Sequence, residues 1–287
     1  MTGPEQVIAG YDGSTESEDA LAWAVEEARL RRLPLTVCHA WRWPYPAKYT
    51  DAAARAVVQR MGQHVLEHGE FVARRSATGI TVQTRLMDGP ANAALAFQST
   101  GGALVVIGSR DPDEVPVGST VLRLPAHAHG PVIVVRREGP ADGAVVVGVD
   151  SSAADAGSDA AVGFAFEEAA LRGRRLRAVS GCWDPGGPGE DLAPYADQEA
   201  LRRRCGARLE GSVAPWRVKY PQVDAHTSLI MDGPRPALLD AAKDAALLVV
   251  GDRSGPHAHP QNLGVTALTM LQRAPCPVAI VHAIPRV

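Results

Sequence analysis

The sequence lacks long apolar runs, a strong charge of one sign and a recognisable leader. No apolar stretch approaches the roughly 18–20 residues that span a bilayer. The opening residues, MTGPEQVIAGYDGS, contain no basic segment followed by an apolar one. The formal net charge of −3 gives no field that would attract the protein to nucleic acid or to an acidic membrane. We therefore expect a cytoplasmic protein that has neither nucleic acid nor membrane among its partners.

Cysteine is sparse, and its spacing predicts free thiols. The chain has no CxxC pair and no close cluster of cysteines, so we expect neither a zinc site nor a disulfide framework. Two H-x-H pairs occur, at 127–129 and 257–259, but neither has a third ligand in the same segment. No metal site is therefore predicted. The four cysteines are Cys38, Cys182, Cys205 and Cys276.

The sequence also lacks the motifs with which many enzymes hold phosphate or position a nucleophile. It contains no G-x-x-x-x-G-K-[ST] loop, no G-x-G-x-x-G, no G-x-S-x-G and no H-E-x-x-H. Only three of the 29 basic residues are lysines, and none of these lies in a glycine-bearing loop. Because phosphoryl transfer depends on placed positive charge, we expect a protein without catalytic residues, that is, not an enzyme.

The chain contains the same sequence pattern twice, in the same order. A pattern repeated in this way indicates a repeated structural unit. We expect domains at 1–137 and 145–287, joined by the polar, turn-rich linker 138–144. The matching segments are VIAGYDGS (7–14) and VVVGVDSS (145–152), LMDGP (86–90) and IMDGP (230–234), and ALVVIGSR (103–110) and LLVVGDR (247–253).

Each copy predicts an α/β fold in which five strands alternate with four helices. Short Val/Ile-rich runs without alternation are typical of strands buried on both faces of a parallel sheet. Apolar residues at helical spacing predict amphipathic helices after the first and second strands. Gly89-Pro90 and Gly233-Pro234 predict the start of the third helix in each copy. The predicted inner faces are Leu21, Ala24, Val25 and Ala28; Val162, Ala165, Phe166 and Ala169; and, for the second helix, Val58, Met61, Val65 and Val72.

A doubly wound sheet of this kind binds ligands beyond the carboxyl ends of its strands, beside the first strand. There the glycine-bearing loops 108–118 and 251–264 follow the fourth strand of each copy. Backbone N–H groups and helix N-termini suit phosphate. Asp12 and Asp150 come after the first strands, where an aspartate serves equally well in a ligand site or in a helix cap. Both interpretations stay open.

These segments resemble the universal stress protein family over nearly the whole chain, twice. The resemblance rests on the D-x-S sequence after the first strand, the D-G-P turn, and the apolar strand that opens a glycine-bearing loop. It implies a five-stranded parallel sheet of order 3-2-1-4-5 in each domain. It also implies that the two domains pair pseudo-symmetrically through their last strands, 131–135 and 277–282. Association of two chains into a homodimer is compatible with it.

The resemblance further implies a nucleotide site in each domain. Asp12 and Asp150 match the aspartate that reaches the adenosine, and Ala40 and Cys182 match a position that packs on the base. The first phosphate loop is three residues short and has Asp111 in place of its second glycine. The predicted binding residues are Gly10, Tyr11, Asp12, Ala40, Gly108, Ser109, Arg110, Gly118, Ser119, Thr120, Gly148, Val149, Asp150, Cys182, Gly251, Arg253, Ser254, Gly264, Val265 and Thr266.

Three hypotheses follow for the function. The first is a stress-response regulatory protein that binds ATP or a related adenine nucleotide, with or without Mg²⁺, in one or both domains. The second is a nucleotide-free interaction protein that keeps the fold but not the phosphate loops, because some family members bind no nucleotide. The third is a nucleotide hydrolase, which the missing catalytic residues disfavour.

Overall fold

The chain forms two compact units, Met1–Arg136 (unit 1) and Arg137–Val287 (unit 2). The computed structural model describes residues 4–46, 51–109, 119–136, 139–140, 142–150, 156–182, 198–252 and 263–282. The predicted linker, 138–144, lies between the last strand of unit 1 and the first strand of unit 2, except for Ala144, which is the first residue of that strand. No helix in these described ranges is both long enough and apolar enough to cross a membrane.

Unit 1 has a single parallel sheet with the strand order β3-β2-β1-β4-β5. The order reverses at β1, because the chain runs outward to β3 and then returns to β4 on the other side of β1. The elements are β1 (Val7–Gly10), α1 (Thr15–Arg31), β2 (Leu35–Trp41), α2 (Ala52–Ser76), β3 (Val82–Asp88), α3 (Ala91–Gln98), β4 (Leu104–Gly108), α4 (Thr120–His127) and β5 (Val132–Val135).

Unit 2 repeats this topology with the strand order β8-β7-β6-β9-β10, all parallel. The predicted α/β class and the order 3-2-1-4-5 are therefore confirmed in each unit. Pairing of the units through their last strands stays a prediction. The elements are β6 (Ala144–Gly148), α5 (Ala156–Arg172), β7 (Leu176–Gly181), α6 (Gln198–Lys219), β8 (Ala225–Ile230), α7 (Pro234–Ala241), a 3₁₀ turn (Ala242–Asp244), β9 (Ala245–Gly251), α8 (Val265–Arg273) and β10 (Val278–Val281).

The core of each unit lies between the strands and the helices that cover them. The inner strands are buried on both faces, which explains why their sequences show no polar alternation. The predicted inner faces of α1 and α5 are confirmed, since all eight of their residues are buried. Pro234 occupies the first position of α7, as predicted, whereas Pro90 is itself the N-cap of α3.

The predicted inner face of α2 was only partly right, because Val58, Val65 and Val72 are half-buried and Met61 is not buried at all. Met61 is 62% exposed, and the buried residues of this helix are Gly62, Leu66, Gly69 and Ala73. Two of these are glycines, which a search for apolar periodicity overlooks. The absence of a side chain lets α2 approach the sheet closely, because a Cβ on Gly69 would lie 2.6 Å from the ring of Tyr11.

Candidate functional site

A cleft opens at the carboxyl end of the sheet in unit 1, beside the strand at which the order reverses. It has a volume of about 120 Å³. The cleft brings together six of the predicted binding residues from β1, β2, β4 and the start of α4. These are Gly10, Tyr11, Asp12, Ala40, Gly108 and Thr120, and the other lining residues are Ser14, Ser17, Cys38, His39, Ala91, Leu95 and Ile107.

Two glycines at the floor of the cleft allow neighbouring elements to approach closely. A Cβ on Gly108 would lie 2.1 Å from the carbonyl oxygen of Glu16, at the start of α1. A Cβ on Gly10 would lie 2.9 Å from Ile107 Cγ2 and 3.1 Å from Leu95 Cδ1. Packing alone therefore requires glycine at position 108 and favours it at position 10.

Asp12 and Ser14 organise the start of α1. Ser14 Oγ donates to Asp12 Oδ1 (2.6 Å), and the Ser14 N–H donates to the same oxygen (3.0 Å). Ser14 is the N-cap of α1, since its side chain accepts a hydrogen bond from the Ser17 N–H (3.2 Å). The capping interpretation of this segment is thus confirmed for unit 1, with Ser14 as the cap and Asp12 as its support.

Both hydrogen bonds that Asp12 accepts from Ser14 reach Oδ1. Burial raises the pKa of Asp12, but hydrogen bonding with Ser14 and Ser17 and the nearby His39 outweigh it, so the net shift is downward. Asp12 is therefore ionised at neutral pH. The side chain is exposed, and each carboxylate oxygen can accept more than one hydrogen bond, so Asp12 remains available to a ligand hydroxyl.

Tyr11 and two histidines form the wall between the cleft and α2. The Tyr11 hydroxyl lies within hydrogen-bond distance of His68 Nδ1 (2.7 Å), and burial, followed by the charges of Glu18 and Asp12, raises the pKa of Tyr11. His39 Nδ1 lies 2.8 Å from the Tyr11 carbonyl oxygen. Because a carbonyl can only accept, the His39 proton lies on Nδ1.

Sequence reasoning missed His39. A polar residue within an apolar strand is a weak signal, although its position one residue before Ala40 places it at the same edge of the sheet.

The start of α4 supplies a polar group that has no hydrogen-bond partner among the described residues. Ser119 is the N-cap of this helix, yet its side chain makes no capping hydrogen bond, and its Oγ is buried. The Ser119 carbonyl accepts from Leu122 and Arg123 (3.2 and 3.1 Å), so the earlier N–H groups of α4 have no helical acceptor. Ser109, in contrast, is 5% exposed, and its N–H donates to Val135 O (2.9 Å).

Unit 2 presents the matching elements with different side chains. The N–H of Val149 donates to Val179 O (2.9 Å), as that of Tyr11 does to Cys38 O (2.8 Å) in unit 1. A Cβ on Gly148 would lie 3.0 Å from Leu238 Cδ1. Asp150 therefore follows β6 as Asp12 follows β1, and both lie at the strand edge where a ligand was predicted.

The opposite side of this edge in unit 2 is formed by β9 and α8. Gly251 ends β9, and Gly264 is the N-cap of α8 and donates its N–H to Asp252 O (2.8 Å). Val265 is 65% exposed, and Thr266 is the second residue of the helix.

Comparison with known proteins decides the family. The pattern of the Universal stress protein family matches residues 4–136 and again 143–282. The chain belongs to the universal stress protein family. A universal stress protein of Mycolicibacterium smegmatis is 31% identical over 96% of both chains. One of Mycobacterium tuberculosis is 30% identical over 98% of this chain and 95% of its own.

A solved structure agrees with the fold of this universal stress protein. The crystal structure of a universal stress protein from Archaeoglobus fulgidus covers 98% of both chains with a TM-score of 0.68 and 16% identity. Similarity at this level of identity describes the fold and carries no residue roles.

Cys182 differs from the prediction for this universal stress protein in two ways. It forms a disulfide with Cys205, so the expectation of free thiols was wrong for this pair, although Cys38 and Cys276 are free and buried. The separation of 23 positions between the two cysteines conceals the pairing, which arises only when α6 folds onto β7. The strand register also pairs Ala40 with Gly181 rather than with Cys182, because Gly10 is level with Cys38 and Gly148 with Val179.

Several predicted residues of this universal stress protein lie outside the described part of the chain. Within the described ranges, no three His, Cys, Asp or Glu side chains converge on a point that could hold a metal ion. The residues outside these ranges are Arg110, Asp111, Gly118, Arg253, Ser254, His257 and His259.

Proposed function

We propose that this universal stress protein is a stress-response regulator that binds ATP or a related adenine nucleotide in the cleft of unit 1, with a second site of the same kind in unit 2. The observation that carries the proposal is the cleft itself. It lies at the strand-order reversal of a doubly wound sheet, which is where such folds bind ligands. It combines apolar walls with a few polar groups, as small-molecule sites do.

The adenosine part of the ligand fits the inner end of the cleft. Ala40 and Leu95 offer apolar surface for a base, and the exposed carboxylate of Asp12 can accept from a ribose hydroxyl. The described walls enclose about 120 Å³, below the roughly 300–1,000 Å³ of sites that enclose drug-sized ligands. The described walls therefore enclose part of a nucleotide, and the rest of the ligand would extend from the mouth of the cleft.

The start of α4 fits a phosphate group. The buried Ser119 Oγ has no partner among the described residues, and the first N–H groups of α4 point out of the helix at its positive end. An oxyanion placed there would satisfy these donors. Because no cluster of metal ligands is present among the described residues, a Mg²⁺ ion that accompanies ATP would be held mainly by phosphate oxygens and water.

A nucleotide-free interaction protein is the second candidate, and a specific observation favours it. Gly108 is explained by the closeness of Glu16, and Asp12 by its support of Ser14, without any ligand. Two residues that resemble binding residues thus have structural reasons to be present. On this alternative the cleft no longer binds a nucleotide, and the protein functions by binding partners at its surface.

Other parts of the proposal concern what the protein does with the ligand. We expect the nucleotide to change conformation or partner affinity rather than to be turned over, since the sequence carries none of the motifs that position catalytic residues for hydrolysis. Action in the cytoplasm, pseudo-symmetric pairing of the units and a homodimer belong to the same proposal. Localisation experiments test the cytoplasmic assignment, crystallography tests the pairing of the units, and sedimentation tests the homodimer.

Native mass spectrometry of the freshly purified full chain tests the proposal. Expected is a bound mass that matches an adenine nucleotide, at one or two equivalents, and that is lost on mild activation. A protein that remains ligand-free even after incubation with millimolar ATP, AMP and cyclic AMP would favour the interaction protein instead.

A further inference from the structure

The disulfide of unit 2 lies where the end of β7 meets α6. Cys182 directly follows β7, and its N–H donates to Ile230 O (2.8 Å), which fixes its backbone against β8. Cys205 is the first buried residue described on α6, in a row continued by Leu209 and Val213. The Cα atoms of the two cysteines are 6.5 Å apart, within the range of about 4.4–6.8 Å that a disulfide requires.

The strand register identifies the counterpart of Cys182 in unit 1. The hydrogen bond from the residue after the first strand reaches Cys38 in unit 1 and Val179 in unit 2. Cys38 therefore corresponds to Val179, and three residues further along the chain Trp41 corresponds to Cys182. Trp41 is 6% exposed, so this position is buried in both units.

The helices identify the counterpart of Cys205. Leu66 and Leu209 are the buried leucines of α2 and α6, and each lies four residues after the residue that meets the strand end. In unit 1 that residue is Gly62, where a Cβ would lie 3.1 Å from Trp41 Cβ. Unit 1 thus closes the same junction by packing tryptophan on glycine, which shows that this fold does not depend on a covalent bond there.

We infer that Cys182 and Cys205 are a reversible dithiol–disulfide pair, a modification site that ties the start of α6 to the ligand edge of unit 2 when oxidised and releases it when reduced. Unit 2 has large buried side chains of its own, such as Phe166, Leu247 and Met270. It therefore does not need the disulfide in the way that small secreted domains do. This inference is independent of nucleotide binding.

Burial couples exchange of this disulfide to a movement of α6. The side chains of Cys182 and Cys205 are largely buried, at 4% and 7% exposure. Exchange therefore requires the first turns of α6 to open outward, and it is coupled to that movement.

The oxidant is a low-molecular-weight disulfide, RSSR, and the reaction is thiol–disulfide exchange in two steps. The Cys205 thiolate attacks RSSR, forms a mixed disulfide and releases one thiolate, RS⁻. The Cys182 thiolate then attacks Cys205 Sγ, forms the protein disulfide and releases the second RS⁻. The protein loses two electrons and two protons overall, and RSSR becomes two RSH.

The two remaining cysteines serve as internal controls. Burial raises the pKa of Cys38 to about 12, and the weaker opposing effect of Arg85 does not offset it. Cys276 is 2% exposed and lies in unit 2 itself. Neither forms a disulfide. We therefore expect both to stay reduced under conditions that oxidise the pair.

The test equilibrates the full chain in glutathione buffers from fully reduced to fully oxidised, followed by acid quench, unfolding, alkylation and intact mass. Four cysteines should be alkylated in reducing buffer and two in oxidising buffer, with the missing pair mapped to Cys182 and Cys205. Cys276→Ser should keep the loss of two alkyl groups. Cys205→Ser and Cys182→Ser should abolish it.

Three results would overturn the inference. The first is alkylation of four cysteines after every buffer. The second is alkylation of only two cysteines after every buffer that lacks denaturant. The third is a loss of two alkyl groups that persists in Cys205→Ser. Hydrogen exchange on the two end states gives a second readout. Reduction should speed exchange in the first turns of α6 at least tenfold and leave α2 unchanged, whereas identical exchange in α6 would contradict release of the helix.

Discussion

Replacing Gly108 with alanine tests whether close packing against α1 fixes glycine at the end of β4. The new Cβ would lie 2.1 Å from Glu16 O, 2.4 Å from Glu16 C and 2.9 Å from Ser17 N. Ordinary contact begins at 3.4 Å, so the start of α1 would have to move by about 1.3 Å. The contacts are backbone atoms, which cannot swing aside as a flexible side chain would.

The expected cost is at the upper end of the range for overpacking, about 3 kcal/mol. In a unit of this size that free energy lowers the melting temperature by about 10 °C. Differential scanning calorimetry of the full chain measures the change, and the transition of unit 1 should move while that of unit 2 stays. Gly211→Ala is the matched control, because its Cβ would meet nothing within 4 Å in the interior of α6.

The control should raise the stability of unit 2 by about 0.5–1 kcal/mol, since alanine favours a helix over glycine. A Gly108→Ala protein that melts within a degree or two of wild type would refute the packing argument. Glycine at this position would then require another reason, such as close approach of a phosphate.

Two further predictions concern Ser14 and Cys38. Ser14→Ala should cost unit 1 about 1 kcal/mol by removing the cap of α1, and NMR titration should show the pKa of Asp12 returning upward. Because the folded pKa of Asp12 is lowered, its contribution to stability is present above the unfolded pKa and lost as pH falls through the folded pKa. An unchanged Asp12 titration would exclude Ser14 as its main partner. Cys38, with a pKa of about 12, should resist iodoacetamide at pH 8 until the protein is unfolded, and rapid native labelling would contradict its burial.

The fold could be predicted because its signals are local and repeated. Each apolar run, such as those of β4 and β9, predicts one strand, and each apolar stripe, such as those of α1 and α5, predicts one helix. Because the pattern occurs twice, each prediction could be checked against its counterpart in the other copy. The prediction of the inner face of α2 failed because Gly62 and Gly69 carry no apolar side chain. The close approach that these glycines allow is nevertheless what positions the helix against the sheet.

The candidate site could be predicted only in part, because it depends on contacts distant in sequence. Asp12, Ala40 and Gly108 converge as the topology requires. The pairing of Cys182 with Cys205 depends on how α6 packs against the end of β7. The position of Ser119 Oγ, which has no partner among the described residues, depends likewise on how α4 packs at the strand ends. The strand register pairs Ala40 with Gly181, one residue before the Cys182 that the sequence comparison predicted. Residue roles can therefore be transferred from one unit to the other only when the strand register is known.

Calorimetric titration of the full chain with ATP, AMP and cyclic AMP tests the central claim most directly. Wild type should bind at least one of them, and Asp12→Asn should weaken that binding about tenfold or more, since it removes a charged acceptor. Asp19→Asn, an exposed change on α1 away from the cleft, should bind as wild type does. Absence of heat with all three nucleotides, or an Asp12→Asn protein with undiminished affinity, would contradict a nucleotide site in unit 1.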